Sequence, residues 1–160
     1  MGHNITMKLI FLLTMFFSVA AFAQLGTKKS MTLEAAKKLA AAAEAEAVAN
    51  KWTMVIVILD DGGNLVYLEK MDETQIGSID VAIAKAQSAV KFKRPTKVFE
   101  DAVAGGRQAI LKLPGAIPIE GGVPLMLDGR VIGAIGVSGA QSKEDGQVAA
   151  AAVKAFEKMK

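Results

Sequence analysis

Apolar and polar positions alternate in a way that assigns most of the chain to elements. Residues 123–127 and 131–137 are apolar runs separated by Asp128-Gly129-Arg130. Asp-Gly between apolar runs predicts a tight hairpin, because a type I′ turn needs positive φ at both central residues. A second hairpin is predicted earlier. Residues 54–59 form a continuous β-branched run, Asp60-Asp61-Gly62-Gly63-Asn64 supplies turn residues, and residues 65–70 alternate between two faces.

Helical spacing accounts for most of the remainder. Thr32 is placed to cap a helix over 33–49, which is nearly all Ala, Glu and Lys. So many alanines imply close packing, against another subunit or within the chain, or a partly exposed helix that uses Ala for propensity. Ser78 is placed to cap a helix over 79–93. Its apolar stripe is Ile79, Ala82, Ile83, Ala86 and Val90, with Lys85, Lys91 and Lys93 off the stripe. Pro95 stops that helix. Thr96 then caps a shorter piece through Phe99 and Val103, ended by Gly105-Gly106. Residues 108–116 are ambiguous, and 117–119 suggest a short extra strand. Ser142, with Asp145 three residues on, resembles a capping box before a last helix over 143–159. The order α-β-β-α-α-β-β-α with tight hairpins predicts an α+β fold, a mostly antiparallel sheet flanked by helices.

The first residues change the picture of address. Met7-Lys8 precedes an apolar run over 9–21, and Ala21-Phe22-Ala23 is an A-x-A cleavage pattern. Residues 1–23 therefore read as a signal peptide, residues 24–31 as a flexible leader and residues 32–160 as one domain. The apolar run is shorter than the ~20 residues of a spanning helix, so no stable membrane anchor is expected after cleavage. The expected location is periplasmic or secreted.

Composition excludes more than it supports. There is no Cys, and the single His is His3, within the signal segment. Residues 24–160 therefore lack the donors of a usual zinc site and cannot run Ser-His-Asp or Cys-His chemistry. The net charge of +3 falls to +2 with the loss of Lys8. No basic stripe with interleaved aromatics accompanies it, so no nucleic-acid partner is expected. No complete acid–base or nucleophile constellation is legible, and enzyme status stays open.

Several residues carry candidate binding chemistry. The glycine-bounded turn at Ser138 and Gly139, followed by a helix start, suits a carboxylate, since free N–H groups and the helix dipole face an anion there. The same glycines also simply permit a sharp turn. Glu120-Gly121-Gly122 has the same two readings. Lys85 and Arg94 are cations suited to carboxylates, with a bidentate fork only in Arg94. Tyr67 and Met71 can line a pocket, and Met is a soft ligand.

Ordered motifs along the chain resemble the GlcG/HbpS family. They are Asp60-Asp61-Gly62-Gly63-Asn64-Leu65-Val66, Lys70-Met71-Asp72, Ala82-Ile83-Ala84-Lys85-Ala86, Arg94-Pro95-Thr96, Gly121-Gly122-Val123-Pro124 and the glycine-rich stretch 133–140. The resemblance spans nearly everything after Met31. It implies a profilin-like layered sandwich, assembly from dimer to octamer, and haem as the cofactor, with haem handling, haem degradation or redox sensing among members' roles. Asn64 and Lys70 stand where members commonly carry His and Arg. Ligation of haem iron by His is thereby removed, and by analogy with members that use a threonine hydroxyl the resemblance nominates Thr96 as the metal ligand. Three readings follow: an exported haem- or tetrapyrrole-binding protein, a protein that binds or processes a small carboxylate such as a 2-hydroxy acid, and a purely structural oligomer subunit.

Overall fold

The computed structural model describes residues 25–160, so the expected signal segment 1–23 lies outside the described residues. The elements are α1 (Leu33–Ala49), β1 (Val55–Asp60), β2 (Leu65–Lys70), α2 (Ser78–Phe92), α3 (Lys97–Ala104), a 3-10 turn (Gln108–Lys112), β3 (Gly122–Leu127), β4 (Arg130–Ser138) and α4 (Ser142–Glu157). This is the predicted order, with the ambiguous stretch resolved as the 3-10 turn. Residues 117–119, expected as an extra strand, form none.

The strands make one antiparallel sheet in the order β2-β1-β4-β3. Asp128 and Gly129 have φ of 51° and 73°, the two positive values a type I′ hairpin requires. The first hairpin is held differently. Asp60 accepts hydrogen bonds from the backbone N–H groups of Gly62 and Asn64, both 2.8 Å, and from the Asn64 side chain. Asn64 thus locks the turn.

The period-two alternation of β1 sorts its side chains between two cores. Met54, just before the strand, with Ile56 and Ile58, packs with Leu125, Ile135 and Val137 beneath α1 and α4. Val55, Val57 and Leu59 pack with Ala134 beneath Ala82, Ala86 and Ala89 of α2. The alanines of α1 find their partner inside the chain. Ala36, Ala40, Ala43 and Ala47 share one core with Val148, Ala149 and Ala152 of α4. Small residues on both surfaces let the two helices approach closely.

On the opposite face the decisive position is Gly136. A Cβ there would overlap the Ala82 carbonyl oxygen and lie 2.7 Å from the Ala86 amide nitrogen. The bare glycine therefore lets the α2 backbone rest directly on β4. That contact fixes the roll of α2. Ser78, Ala82, Lys85, Ala86 and Ala89 turn inward, while Ile79 and Ile83 are only half-buried. Lys85 thus sits on the buried stripe, not off it.

Candidate functional site

Lys85 and Asp145 define the site. Lys85 points from α2 towards the end of β4, and Asp145 points from the first turn of α4. Their side chains meet at 2.6 Å, with the residues only 1% and 2% exposed. The Lys85 ammonium also donates to the Val137 carbonyl at 3.0 Å. The other oxygen of Asp145 accepts from the Ala140 N–H at 3.1 Å, and the Gly139 N–H also bonds the carboxylate. Burial pushes the Asp145 carboxyl up, against the pull of the Lys85 ammonium and these two N–H groups.

The glycine turn at the head of α4 is therefore an anion site whose anion is Asp145 itself. A capping role for Asp145 is replaced by this inward one. The cap is made one residue earlier, where Glu144 accepts from the Gln141 N–H at 2.9 Å. Lys85, considered as a partner for an external carboxylate, is likewise committed to an internal one.

The 120–122 loop lies over this pair. A Cβ on Gly121, whose φ is +126°, would fall 2.9 Å from the Lys85 ammonium and 3.0 Å from Asp145 Cβ. Only glycine leaves room. Gly122 donates to the Thr96 hydroxyl at 3.0 Å, and Thr96 N–H donates back to the Gly122 carbonyl at 2.9 Å. Thr96 is fully buried and makes no side-chain cap on α3. Its hydroxyl is a latch between α3 and β3, where iron ligation would require an open approach. Glu120 is partly exposed. Its N–H donates to the Glu100 carboxylate, its own carboxylate lies against Gly146, and Lys97 approaches to 3.8 Å.

Of the other nominated residues, Ser138 borders this junction, and Tyr67, Met71 and Arg94 lie elsewhere. Ser138 is buried with its hydroxyl donated to Ser78 at 3.3 Å, which replaces the expected capping role of Ser78. Tyr67 and Met71 belong to β2 and its exit, at the opposite edge of the sheet from β3. The Tyr67 phenol donates to Glu69 at 3.0 Å, and the Met71 sulfur accepts the Met54 N–H at 3.4 Å. Arg94 is exposed, donates to the Phe92 carbonyl and sits 5.9 Å from the centroid of the Phe99 ring. So Lys85, Thr96, Glu120, Gly121, Gly122, Ser138 and Gly139 gather around one junction, while Tyr67, Met71 and Arg94 do not join it. Asp145 is the member that sequence reasoning missed. A signal existed: Asp145 falls in phase with Val148, Ala149, Ala152 and Phe156 on the buried stripe of α4.

The junction is closed and paired. Among the described residues no buried side-chain nitrogen or oxygen lacks a partner, and no cluster of His, Cys, Asp or Glu is arranged to hold a metal ion. The open space lies at the surface. One groove of about 570 Å³ runs between the leader and the hairpin tips, and one of about 410 Å³ is lined by Glu44, Glu69, Lys70, Met71 and Asp72. No helix among the described residues is long and apolar enough to cross a membrane.

Comparison with known proteins agrees with this architecture. The family described as haem degrading protein HbpS-like matches residues 31–154. Protein GlcG of Escherichia coli K12 is 39% identical over 112 residues, 70% of this chain and 84% of GlcG. A double mutant of Streptomyces reticuli HbpS superposes with a TM-score of 0.75 at 30% identity, covering 83% of this chain and 91% of the other. PduOC, solved as a haem complex, superposes with a TM-score of 0.72 at 26% identity, covering 79% of this chain and 95% of that one. Haem binding is thus supported for the family, and by fold and sequence alike this chain belongs to the HbpS-like family.

Proposed function

We propose that this protein is an exported, homo-oligomeric binder of haem or a related tetrapyrrole. The observation that carries the reading is the family match across residues 31–154, joined to the likeness to PduOC in its haem complex. Surface chemistry supports it. The segment between α2 and β3 leaves Val98, Leu111, Leu113 and Ile119 exposed, with Arg94, Lys97 and Lys112 on the same segment. Apolar surface suits the macrocycle, and cations suit its propionates.

The donor set fits less well. Residues 25–160 contain neither His nor Cys. The Thr96 hydroxyl, the Tyr67 phenol and the Met71 sulfur are each engaged inside the subunit. Exposed apolar residues and cations of this segment suit a macrocycle and its propionates, while the nominated residues offer no strong axial ligand. Binding in this reading rests on the face and the propionates, and no chemical step at the iron is derived.

Assembly is part of the proposal. β2 is an outer strand with Leu65 55% exposed, and Ile76 nearby is 81% exposed. Apolar surface on an open sheet edge favours a second copy.

Titration with haemin, followed in the Soret region, tests the reading. A saturable shift is expected, lost or weakened in Arg94→Gln and retained in Thr96→Ser. No shift with haemin, in a protein that sediments as a stable oligomer, would overturn this reading and leave the small-carboxylate and purely structural readings.

A further inference from the structure

We infer that the groove between the leader and the two hairpin tips is a binding site for a carboxylate with an apolar body, separate from any tetrapyrrole site. Its floor is Leu127, Val131 and Ile132, and its rim holds Lys28, Lys29 and Arg130. The leader forms one wall, which meets the rest of the chain through two exposed ion pairs and one buried side chain. Lys28 pairs with Asp61 on the first hairpin tip at 2.8 Å, and Lys29 pairs with Asp128 on the second at 3.1 Å. Met31 is buried behind them, with its methyl group close to Gly133.

Charge complementarity selects the occupant. The rim carries three cations and the two acids Asp61 and Asp128. Each acid is already taken by a lysine. Arg130 remains, and among the described residues its guanidinium makes no ion pair and no hydrogen bond. A guanidinium fork matches one carboxylate in bidentate geometry. The half-buried floor beneath it offers apolar contact to the rest of the molecule. The volume of about 570 Å³ falls within the range of small-molecule sites. A monocarboxylate with an aliphatic or aromatic body satisfies both halves. The head of α4, the other position suited to a carboxylate, is filled by Asp145.

Calorimetric titration of the purified protein with octanoate, and in parallel with octylamine, tests this at low ionic strength. Octanoate is expected to bind saturably at one per chain, and octylamine is not. Arg130→Gln should weaken octanoate about tenfold, as loss of a charge-assisted pair predicts, with Arg130→Lys in between. Arg130 is exposed on a hairpin, so both variants should melt like the parent without ligand. Octanoate binding should survive saturation with haemin. The proposal is overturned by any of four results: no saturable binding at millimolar octanoate, equal binding of octylamine, full affinity in Arg130→Gln, or displacement of octanoate by haemin. The last would make the groove the tetrapyrrole's own site and leave the haem reading standing. Octanoate binding with no haemin response would sink the haem reading alone.

Discussion

The Lys85 ammonium and the Asp145 carboxylate meet at 2.6 Å in a place that water barely reaches. They tie α2, on one face of the sheet, to α4, on the other, around the end of β4. A buried pair is a weak source of net stability, because two desolvation costs offset the attraction. Removing one partner is different, since it strands a buried charge. Lys85→Met or Asp145→Leu should each destabilise by about 3–5 kcal/mol. The double variant Lys85→Met/Asp145→Leu should recover much of that loss. Urea denaturation of the four proteins measures the cycle, and strict additivity would show that the two residues do not act as a pair.

Gly136 should tolerate no side chain. In Gly136→Ala the new methyl group would meet the α2 backbone, which cannot swing away as a flexible side chain does. Overpacking of this kind costs about 1–3 kcal/mol, with backbone contact placing the expected loss at the upper end. Thermal melting checks it. A melting point equal to that of the parent would mean that α2 is not seated directly on β4.

Thr96 separates structural and ligand roles cleanly. Thr96→Val keeps the shape and removes the acceptor, so the buried Gly122 N–H loses its partner. An unsatisfied buried donor costs about 1–3 kcal/mol. Thr96→Ser retains the hydroxyl and should stay near parental stability. Any haemin-induced Soret shift should be the same in Thr96→Ser and in folded Thr96→Val. A shift lost in the Val variant, at temperatures where it remains folded, would restore the hydroxyl as an iron ligand.

Acid should loosen the first hairpin through Asp60. Burial alone would raise its carboxyl, but hydrogen bonds from Asn64 and Gly62, with the charge of Lys28, outweigh burial and hold it below the usual value of 3.8. A carboxyl lowered in the folded state adds stability above its unfolded pKa. That stability is lost as pH falls from there through the lowered folded value. Melting points measured from neutral pH down through the carboxylate range should therefore fall more steeply in the parent than in Asp60→Asn. Parallel curves would show that Asp60 does not contribute.

Sequence by itself determined the order of elements, both hairpins and the class of fold. Those features are local: Asp128-Gly129 demands its turn wherever it stands, and period-two and helical spacings declare their elements without help from distant residues. Motif order also pointed to the family, which the match over residues 31–154 confirms. Tertiary structure alone decided what the polar residues do. The sequence pattern places Lys85 off the apolar stripe because a charge is not counted in one, yet the contact of Gly136 with α2 rolls it inward. Thr96, Ser78 and Asp145 each looked like helix caps. Their oxygens face Gly122, Ser138 and Lys85 instead, partners 26 and 60 residues away in the chain. Local chemistry offers such side chains several uses of similar energy, and only packing across the sheet selects one.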